Sequence, residues 1–533
     1  MIFSVIFRRV AVGVGLACGG LLSCQPRQSL TRATTEARPP AIANPVLPGD
    51  FPDPSATKIG DSYWASATSS NWGPVFPLLK SRDLASWQLV GYVFPDALPE
   101  WADYYFWAPE ISQEGGKTYV YYAAHQKGGN LAIGVASADR PEGPYRDHGP
   151  LVGQPDGSID PFPVRDEKGR LYLLWKEDGN SVQQPTPIWA QPMNEARTAL
   201  TGEKTELFRN TAPWEGNLVE GVGVVRRAGY FYAFYAANGC CGASCTYAIG
   251  VARARRLLGP WEKCPRNPLL STNAAWSCPG HGTALERNGH WYLLHHAYQT
   301  GSFENVGRQG VLSEFAWNAD GWPAFLNQPP ISPGTASPGR IQPVALADEF
   351  DQSTLALTWQ WPVQHRPRLA VRNGQLYLTA SPDAGGAALG RSISSANYTA
   401  TTTLLNPAAL PTGASAGLVA IGNPDNALAF TASNATLQLQ ERRVGKTRLL
   451  AEIPLPVAAA HAVQLRLQVR AGSSYGFAWS TDEGHTWANP LPHDGTLSGA
   501  HLPPWDQGVR VGLLAQGPAT ATVAFERFEL LSE

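Results

Sequence analysis

The chain carries little charge and few cysteines for its length. Only 16% of its 533 residues are charged, and 41 basic against 43 acidic residues leave a formal net charge of −2. This balance gives no electrostatic reason to expect nucleic acid or an anionic membrane surface as a partner. The cluster Cys240, Cys241 and Cys245 has no second ligand pair at zinc spacing, so a zinc–thiolate site is not expected.

Hydrophobic runs long enough to cross a membrane are also missing. Two arginines precede an apolar run over residues 10–22, which is too short for a bilayer and typical of a signal peptide. The run ends in Leu-Leu-Ser-Cys24, which resembles the lipobox of bacterial lipoproteins. We therefore expect 1–24 to be a lipoprotein signal, Cys24 to carry the lipid and 25–44 to be a flexible tether. The protein would then be exported and anchored to a membrane, in the periplasm or at the cell surface.

Export permits disulfides, but the number of cysteines left after processing is odd. At least one thiol must therefore stay unpaired, and the sequence does not select the pairing. The five cysteines are Cys240, Cys241, Cys245, Cys264 and Cys278.

What the chain has in abundance is turn formers and aromatics, which favour an all-β protein of short strands. A glycine followed three residues later by tyrosine recurs five times, with the glycines 56, 53, 60 and 60 residues apart. The five segments are 60–63, 116–119, 169–172, 229–232 and 289–292. Units of this length, each with a hairpin, are typical of four-stranded propeller blades. The repeat predicts a five-bladed β-propeller over residues 45–327.

A different texture follows the propeller. Residues 328–345 form a linker rich in proline, glycine and serine. Beyond it, apolar and polar residues alternate, as from Val463 to Val469, which is the pattern of half-buried strands. We expect a β-sandwich over 346–533.

A carboxylate or an imidazole stands six to nine residues before each repeated glycine. These residues are Asp53, Glu110, Asp160, Glu220 and His281. A propeller lines its channel with the equivalent strand of every blade, so the five side chains should converge near the axis. A glycosidase needs two carboxyl groups across the scissile bond, and crowding of like charges keeps one of them protonated. Asp50, Asp156 and Glu215 lie close to three of these acids and remain competing assignments.

Seven motifs in order along 44–325 resemble glycoside hydrolase family 43. They are 44–55 around Asp53, 81–87, 107–111 around Glu110, 159–161 around Asp160, 219–221 around Glu220, 280–282 around His281 and 307–309 around Arg308. The resemblance implies an inverting mechanism with Asp53 as general base, Glu220 as general acid and Asp160 as modulator of the acid. Inversion requires roughly 6.5–9.5 Å between the base and the acid.

The resemblance also implies residues around the substrate. Arg308 looks like the arginine near substrate and modulator, and His281 is similar to a channel histidine associated with a bound calcium. Glu110 completes the ring of acids, and Trp72, Phe106 and Trp107 are candidate walls for stacking on sugar rings, with core packing as the alternative.

The expected activity is that of an exo-acting β-xylosidase or α-L-arabinofuranosidase on hemicellulose fragments. The sandwich resembles the concanavalin A-like C-terminal domain of family β-xylosidases, where a loop closes one end of the pocket. Alternatives are an endo-arabinanase, a galactan-directed hydrolase or a non-catalytic glycan-binding lipoprotein. Fructan-acting five-bladed hydrolases carry Arg-Asp-Pro, whereas Asp166 is followed here by Glu167.

Overall fold

The computed structural model describes residues 42–300, 303–326 and 345–533. The predicted signal peptide, Cys24, all but the last three residues of the predicted tether and nearly all of the predicted linker lie outside the described residues. Nearly all of the regular secondary structure in the described part is β-strand, so the prediction of an all-β protein is confirmed. None of its helices is long and apolar enough to cross a membrane.

Residues 42–326 form five antiparallel sheets, each of four strands, that follow one another along the chain. The first sheet comprises β1 (Ser55–Ile59), β2 (Ser62–Ser66), β4 (Val75–Ser81) and β5 (Gln88–Phe94), with the short β3 (Trp72–Gly73) outside it. The second comprises β6 (Trp107–Glu114), β7 (Lys117–His125), β8 (Leu131–Ala138) and β9 (Arg146–Gly153). The third comprises β10 (Ser158–Arg165), β11 (Leu171–Glu177), β12 (Ile188–Pro192) and β13 (Thr205–Phe208).

The fourth and fifth sheets repeat this order. The fourth comprises β14 (Val219–Arg227), β15 (Tyr230–Ala237), β16 (Ala248–Ala254) and β17 (Glu262–Lys263). The fifth comprises β18 (Trp276–Arg287), β19 (His290–Gln299), β20 (Gln309–Trp317) and β21 (Pro323–Phe325), with the one-turn helix α1 (Phe303–Val306) before β20. Short 3₁₀ turns span Gly179–Val182 and Pro213–Glu215.

The repeated glycines lie in the hairpin between the first and second strand of each sheet. All five have a positive φ, from 60° to 82°, which residues other than glycine rarely adopt. The tyrosine three residues later lies on the second strand, and this strand is mostly buried in every sheet. The repeat therefore marks the same hairpin five times.

The five sheets pack against one another in sequence. The first strand of each sheet contacts the first strand of the next, and β18 of the fifth contacts β1 of the first. A separate apolar cluster fills the space between each pair of neighbouring sheets, including the fifth and the first, where Tyr63 and Leu79 meet Tyr292 and Leu312. Burial of these aromatic and aliphatic side chains stabilises the arrangement, because apolar surface leaves water.

Residues 345–533 form two further sheets. One has the order β24-β25-β36-β27-β32-β33-β34, with β22 also on β36, and the other the order β26-β35-β28-β29-β30-β31. The early strands are β22 (Ala345–Asp348), β23 (Trp361–Pro362), β24 (Leu369–Arg372), β25 (Gln375–Thr379), β26 (Ala387–Ser392), β27 (Tyr398–Leu405), β28 (Ser415–Asn423) and β29 (Asn426–Ser433). The later ones are β30 (Thr436–Arg443), β31 (Lys446–Pro454), β32 (Ala462–Arg470), β33 (Ser474–Ser480), β34 (Leu497–Ser498), β35 (Arg510–Gln516) and β36 (Thr522–Ser532). Short 3₁₀ turns lie at Pro407–Ala409, Val457–Ala459 and Pro492–Asp494. One apolar core draws side chains from both sheets, and Leu465 and Leu467 of the alternating pattern belong to it.

The C-terminal sheets are joined to the first sheet of the chain. Strand β3 pairs with β23, so Trp72 faces Pro362 across a short antiparallel ladder. Asp50 forms an ion pair with Arg510 at 2.9 Å, and both side chains are only 3% exposed. The exposed pair Asp96 and Arg366 adds a contact at the rim.

The five cysteines beyond the signal divide into two disulfides and one thiol. Cys240 is bonded to its neighbour Cys241, and Cys245 is bonded to Cys278. Cys264 is free and buried, as the odd number of cysteines required.

Candidate active site

In four of the five sheets, the first strand is irregular close to its candidate residue. The pairing register with the second strand shifts next to Glu110, Asp160, Glu220 and His281. Such bulges re-aim a side chain out of the regular alternation. Asp53, which lies just before β1, has a φ of 50°, and Asp160 and His281 also have positive φ values. Backbone irregularity at the same place in each sheet thus directs these side chains.

One cavity of about 300 Å³ collects most of the candidate residues. Those that line it are Asp53, Trp107, Asp160, Glu220, His281 and Arg308. Further lining residues are Ile159, Lys176, Asp178, Asn180, Ser181, Leu218, Cys240, Cys241, Tyr247, Trp505 and Asp506. The first strands of four sheets, or the residues just before them, therefore supply the three acids and the imidazole, and the C-terminal sheets supply two residues.

Asp53 is held in its ionised form. Arg308 donates from Nη1 to its Oδ1 at 3.0 Å, and the Thr68 hydroxyl donates to its Oδ2 at 2.7 Å. Nδ1 of His296 lies 3.1 Å from both the backbone nitrogen and Oδ1 of Asp53. Burial raises the pKa of Asp53, but the Arg308 charge and these contacts outweigh it and hold the pKa well below its usual range.

Asp160 has the opposite character. Burial raises its pKa to about 6, the His281 ring partly opposes this, and the charge of Glu220 adds to it. Its Oδ2 accepts the Gly221 N–H at 2.7 Å, which ties it to the strand that carries Glu220. Gly221 has a φ of 61°, and a Cβ at this position would lie only 3.0 Å from the His281 ring. Glycine is therefore required where this strand passes the imidazole.

Glu220 is fixed by two donors. Lys176 donates from Nζ to Oε2 at 2.6 Å, and the Tyr247 hydroxyl donates to Oε1 at 2.8 Å. Lys176 is fully buried and also donates to Asp178 at 2.7 Å. Burial lowers the pKa of Lys176, but the carboxylates of Glu220 and Asp178 outweigh burial and raise it, so the lysine stays charged.

His281 lies between the two aspartates. Its Nδ1 is 3.8 Å from Oδ1 of Asp53 and 3.8 Å from Oδ1 of Asp160. Calcium takes six to eight oxygen ligands at about 2.3–2.6 Å. Within residues 42–300, 303–326 and 345–533, no group of three or more His, Cys, Asp or Glu side chains is arranged to hold a metal. The calcium ion predicted near His281, in a structural role or in support of the active site, stays a prediction.

Arg308 joins the cavity to the C-terminal sheets. Its Nη2 donates to the backbone oxygen of Asp506 at 3.1 Å, and its backbone N–H donates to Asp50 at 3.2 Å. The Asp506 carboxylate in turn accepts the Ser70 hydroxyl at 2.6 Å. Burial lowers the pKa of Arg308, but Asp53 and other neighbours of the guanidinium raise this pKa by more than burial lowers it. The guanidinium is therefore permanently charged. The general-base candidate is thus held by an arginine that the C-terminal sheets position.

The predicted aromatic wall is reduced to one member. Trp107 lines the cavity, stacks on Tyr105 at 4.5 Å between ring centroids, and meets Trp505 edge-on at 5.9 Å. Phe106 is fully buried against Phe76, so it packs in the core.

Two further candidates also lie elsewhere. Trp72 is 1% exposed and is covered by the C-terminal sheets, with Arg510 over its ring, so it does not line this cavity. Glu110 is buried on β6 outside the cavity lining, and burial raises its pKa well above the usual value.

The three competing acids also lie outside this cavity. Glu215 is buried, receives N–H groups from Thr211 and Ala212, and pairs with Lys263 at 2.7 Å. Asp50 is engaged with Arg510, and Asp156 is only half-buried. Geometry therefore favours Asp53, Asp160 and Glu220 as the set that can act together.

Sequence reasoning missed several residues of the cavity. Lys176 interrupts the apolar run of β11, and His296 stands within the apolar β19, so a polar residue in a buried strand was a usable signal. Trp505 and Asp506 carry no such signal, because nothing in their local sequence points to a site built from residues 53–308.

Two family models match the chain. Residues 42–323, more than half of the chain, match the model of glycosyl hydrolases family 43. Residues 347–530 match the beta xylosidase C-terminal concanavalin A-like domain.

Named relatives are distant. The xylosidase/arabinosidase of Butyrivibrio fibrisolvens is 29% identical over 299 residues, which are 52% of this chain and 55% of that protein. The xylan 1,3-beta-xylosidase of a Vibrio species is 28% identical over 369 residues, which are 61% of this chain and 66% of that protein. The chain thus spans between half and two thirds of the length of these curated relatives.

Solved structures cover more of the chain. A mutant of the GH43 protein BlXynB from Bacillus licheniformis is 25% identical, has a TM-score of 0.78, and covers 92% of this chain and 99% of its own. A xylan beta-1,4-xylosidase from Bacillus halodurans has a TM-score of 0.76 at 23% identity over 92% of this chain and 100% of its own, which is a likeness of fold.

Proposed function

Because the chain belongs to glycosyl hydrolase family 43, we propose that it is an inverting glycoside hydrolase that removes xylose or arabinofuranose units from plant hemicellulose glycans. One observation carries this proposal: three buried carboxyl groups, Asp53, Asp160 and Glu220, share one cavity with an arginine, a lysine and an imidazole. Cleavage of a glycosidic bond by inversion needs a base, an acid and room for one water.

The fold proposed for this site is a closed five-bladed propeller over 45–327, followed by the linker 328–345 and the concanavalin A-like domain over 346–533. Contacts between successive first strands, and between β18 and β1, support closure. The five apolar clusters between neighbouring sheets support it as well.

Asp53 acts as the general base. The Arg308 guanidinium keeps its carboxylate ionised, so it accepts a proton from the attacking water. Thr68 and His296 fix the orientation of the carboxylate. Arg308 also faces the cavity, where it can contact substrate hydroxyls.

Glu220 acts as the general acid, and Asp160 adjusts it. Lys176 and Tyr247 hold the Glu220 carboxyl in place. With a pKa of about 6, Asp160 keeps a proton on this side of the cavity under weakly acidic conditions. Glu220, in its protonated form, transfers its own proton to the glycosidic oxygen as the bond breaks and is left ionised.

We infer exo action from the part that the C-terminal domain takes in the cavity. Trp505 and Asp506 line it together with the acids of the propeller strands. A cavity walled by both domains suits a chain end better than the middle of a polysaccharide. The names of the relatives include both xylosidase and arabinosidase, and the choice between these sugars stays open.

Export and anchoring complete the proposal. The lipobox-like sequence before Cys24 supports a lipoprotein at the cell surface or in the periplasm, where hemicellulose fragments occur. We expect Cys24→Ser to move the protein from the membrane fraction to the soluble fraction with its activity unchanged, as fractionation and an activity assay would detect. Retention in the membrane fraction would contradict the anchor.

The acids are tested by leaving-group dependence. Asp53→Ala should lower kcat/KM by about 10²–10⁴-fold on xylobiose and on an aryl xyloside alike, since both need activated water. Glu220→Ala should lose as much on xylobiose but clearly less on the aryl xyloside, whose leaving group departs without a proton.

Glu215→Ala is the matched control, because this glutamate is buried outside the cavity. If it, rather than Glu220→Ala, showed the leaving-group dependence, the acid would be misassigned. NMR of the first product should reveal an inverted anomeric centre, and retention would contradict the mechanism.

A further inference from the structure

The loop between β15 and β16 brings a disulfide of two adjacent residues into the catalytic cavity. Cys240 and Cys241 are bonded to each other, are half-buried, and line the same cavity as Asp53 and Glu220. Neither residue has a part in the acid–base chemistry.

This loop is held firmly. The Cys245–Cys278 disulfide ties its far end to β18, three residues before His281. Within the loop, the Thr246 N–H donates to Gly239 at 2.9 Å, and the Gly242 N–H donates to the Tyr298 hydroxyl at 3.3 Å. The Cys240–Cys241 disulfide is therefore presented on a braced loop.

The disulfide lies on the general-acid side of the cavity. Cys240 packs in one apolar cluster with Leu218 and Tyr247. Tyr247 donates to Glu220, and Leu218 precedes Glu220 by two residues. The loop also reaches the C-terminal domain, since a Cβ on Gly242 would lie 3.6 Å from the Trp505 carbonyl. A general acid faces the leaving group, so the leaving-group sugar is bound on this side of the cavity.

Two bonded sulfurs offer a surface unlike the rest of the wall. They carry no proton to donate and accept hydrogen bonds weakly, and sulfur is large and polarisable. Lys176, Asp178, Asn180 and Ser181 line the same cavity and supply polar groups. An apolar patch among polar groups suits a sugar ring, which has C–H faces and a hydroxyl rim.

We propose that the Cys240–Cys241 disulfide is an apolar platform that contacts the leaving-group sugar and contributes to the choice of leaving group. This inference rests on the proposed function, because the leaving-group side is defined by Glu220 as general acid.

The test compares two substrates that differ only in the leaving group. The leaving group of xylobiose is a second sugar ring. The leaving group of β-xylosyl fluoride is a fluoride ion, which is too small to reach the disulfide. The variant Cys240→Ala/Cys241→Ala should lose about tenfold in kcat/KM on xylobiose, mainly through KM, in the range of one apolar contact in a substrate pocket. Its kcat/KM on the fluoride should be unchanged.

Two control variants separate contact from loop position. Cys264→Ala removes a buried thiol from the core between the fourth and fifth sheets and should leave kcat/KM unchanged on both substrates. Cys245→Ser/Cys278→Ser frees the loop and should lower kcat/KM on both substrates. If the alanine pair does not fold, Cys240→Ser/Cys241→Ser is measured in its place under the same criteria.

Equal loss on both substrates would mean that the disulfide only shapes the loop, and no loss on either would mean that the sulfurs do not meet the sugar. Either result overturns the proposal. If the unaltered protein hydrolyses neither these xylosides nor the corresponding α-L-arabinofuranosides, the proposed function fails instead, so the two failures can be told apart. If only the arabinofuranosides are hydrolysed, the same comparison is made with arabinobiose and arabinofuranosyl fluoride.

Discussion

Asp160 is a buried carboxyl whose ionised form destabilises the folded protein. Burial and the charge of Glu220 raise its pKa to about 6 from an ordinary value of 3.8. Between these two values the folded protein keeps a proton that the unfolded chain has released. The free energy of unfolding therefore loses this contribution as pH rises through the interval from 3.8 to about 6. The full difference corresponds to about 3 kcal/mol.

Replacement of Asp160 should raise the stability of the folded protein and lower its catalytic activity. In Asp160→Asn the ionisation is gone, while the amide oxygen can still accept the Gly221 N–H. We expect the Tm of this variant minus the Tm of the unaltered protein to increase as pH rises from 4 to 6 and to stay constant above pH 6. Its kcat should fall, because the acid loses its modulator. Thermal unfolding across pH 4–8 measures the first effect, and xylobiose hydrolysis the second.

Asp156→Asn is the matched control, because Asp156 is half-buried and lies outside the cavity. Its Tm should follow that of the unaltered protein at every pH. If the Tm difference between Asp160→Asn and the unaltered protein did not change with pH, ionisation of Asp160 would not destabilise the folded protein, and the prediction would be wrong.

At the scale of strands, the hairpins could be predicted from the sequence and the bulges could not. A positive φ at Gly60 or Gly169 is a local demand of a tight turn, so it leaves a glycine that a repeat search can find. The register shifts beside Asp160 and Glu220 depend on how two strands pair. The sequence of one strand alone does not determine this pairing.

The same distinction explains which site residues were predictable. Asp53, Asp160 and Glu220 each stand seven to nine residues before a repeated glycine. Their motifs also resemble those of a family, so the repeat and the motifs pointed to the same residues. Phe106 adjoins the motif 107–111 and Trp72 lies between the first two motifs, yet the structure buries both, because an aromatic side chain near a strand end suits a core as well as a sugar. Trp505 could not be assigned, since its role depends on docking of one domain on another.

For the whole molecule, that docking depends on a buried ion pair. Asp50 and Arg510 are each 3% exposed, and removal of one partner leaves the other charge without compensation. Arg510→Met should lower the free energy of unfolding by roughly 3–5 kcal/mol. Activity should fall as well, because residues 505–508 lie next to Arg308. Urea unfolding and kcat/KM on xylobiose measure the two effects.

Arg366→Met breaks the exposed pair with Asp96 at the same junction and serves as the control. Its free energy of unfolding should change by less than about 1 kcal/mol, since exposed pairs contribute little. Equal effects of the two variants would refute the importance of the buried pair.

The position of Asp506 in the chain also makes the active site depend on the C-terminal domain. It accepts the hydroxyl of Ser70, and its backbone oxygen accepts a hydrogen bond from Arg308, although it lies about 180 residues beyond the end of the fifth sheet. A chain that stops early, through a premature stop or proteolysis, would carry all three acids and yet lack the wall and the arginine anchor. The C-terminal domain thus restricts full activity to chains that extend past Asp506, because only these chains can assemble the whole site.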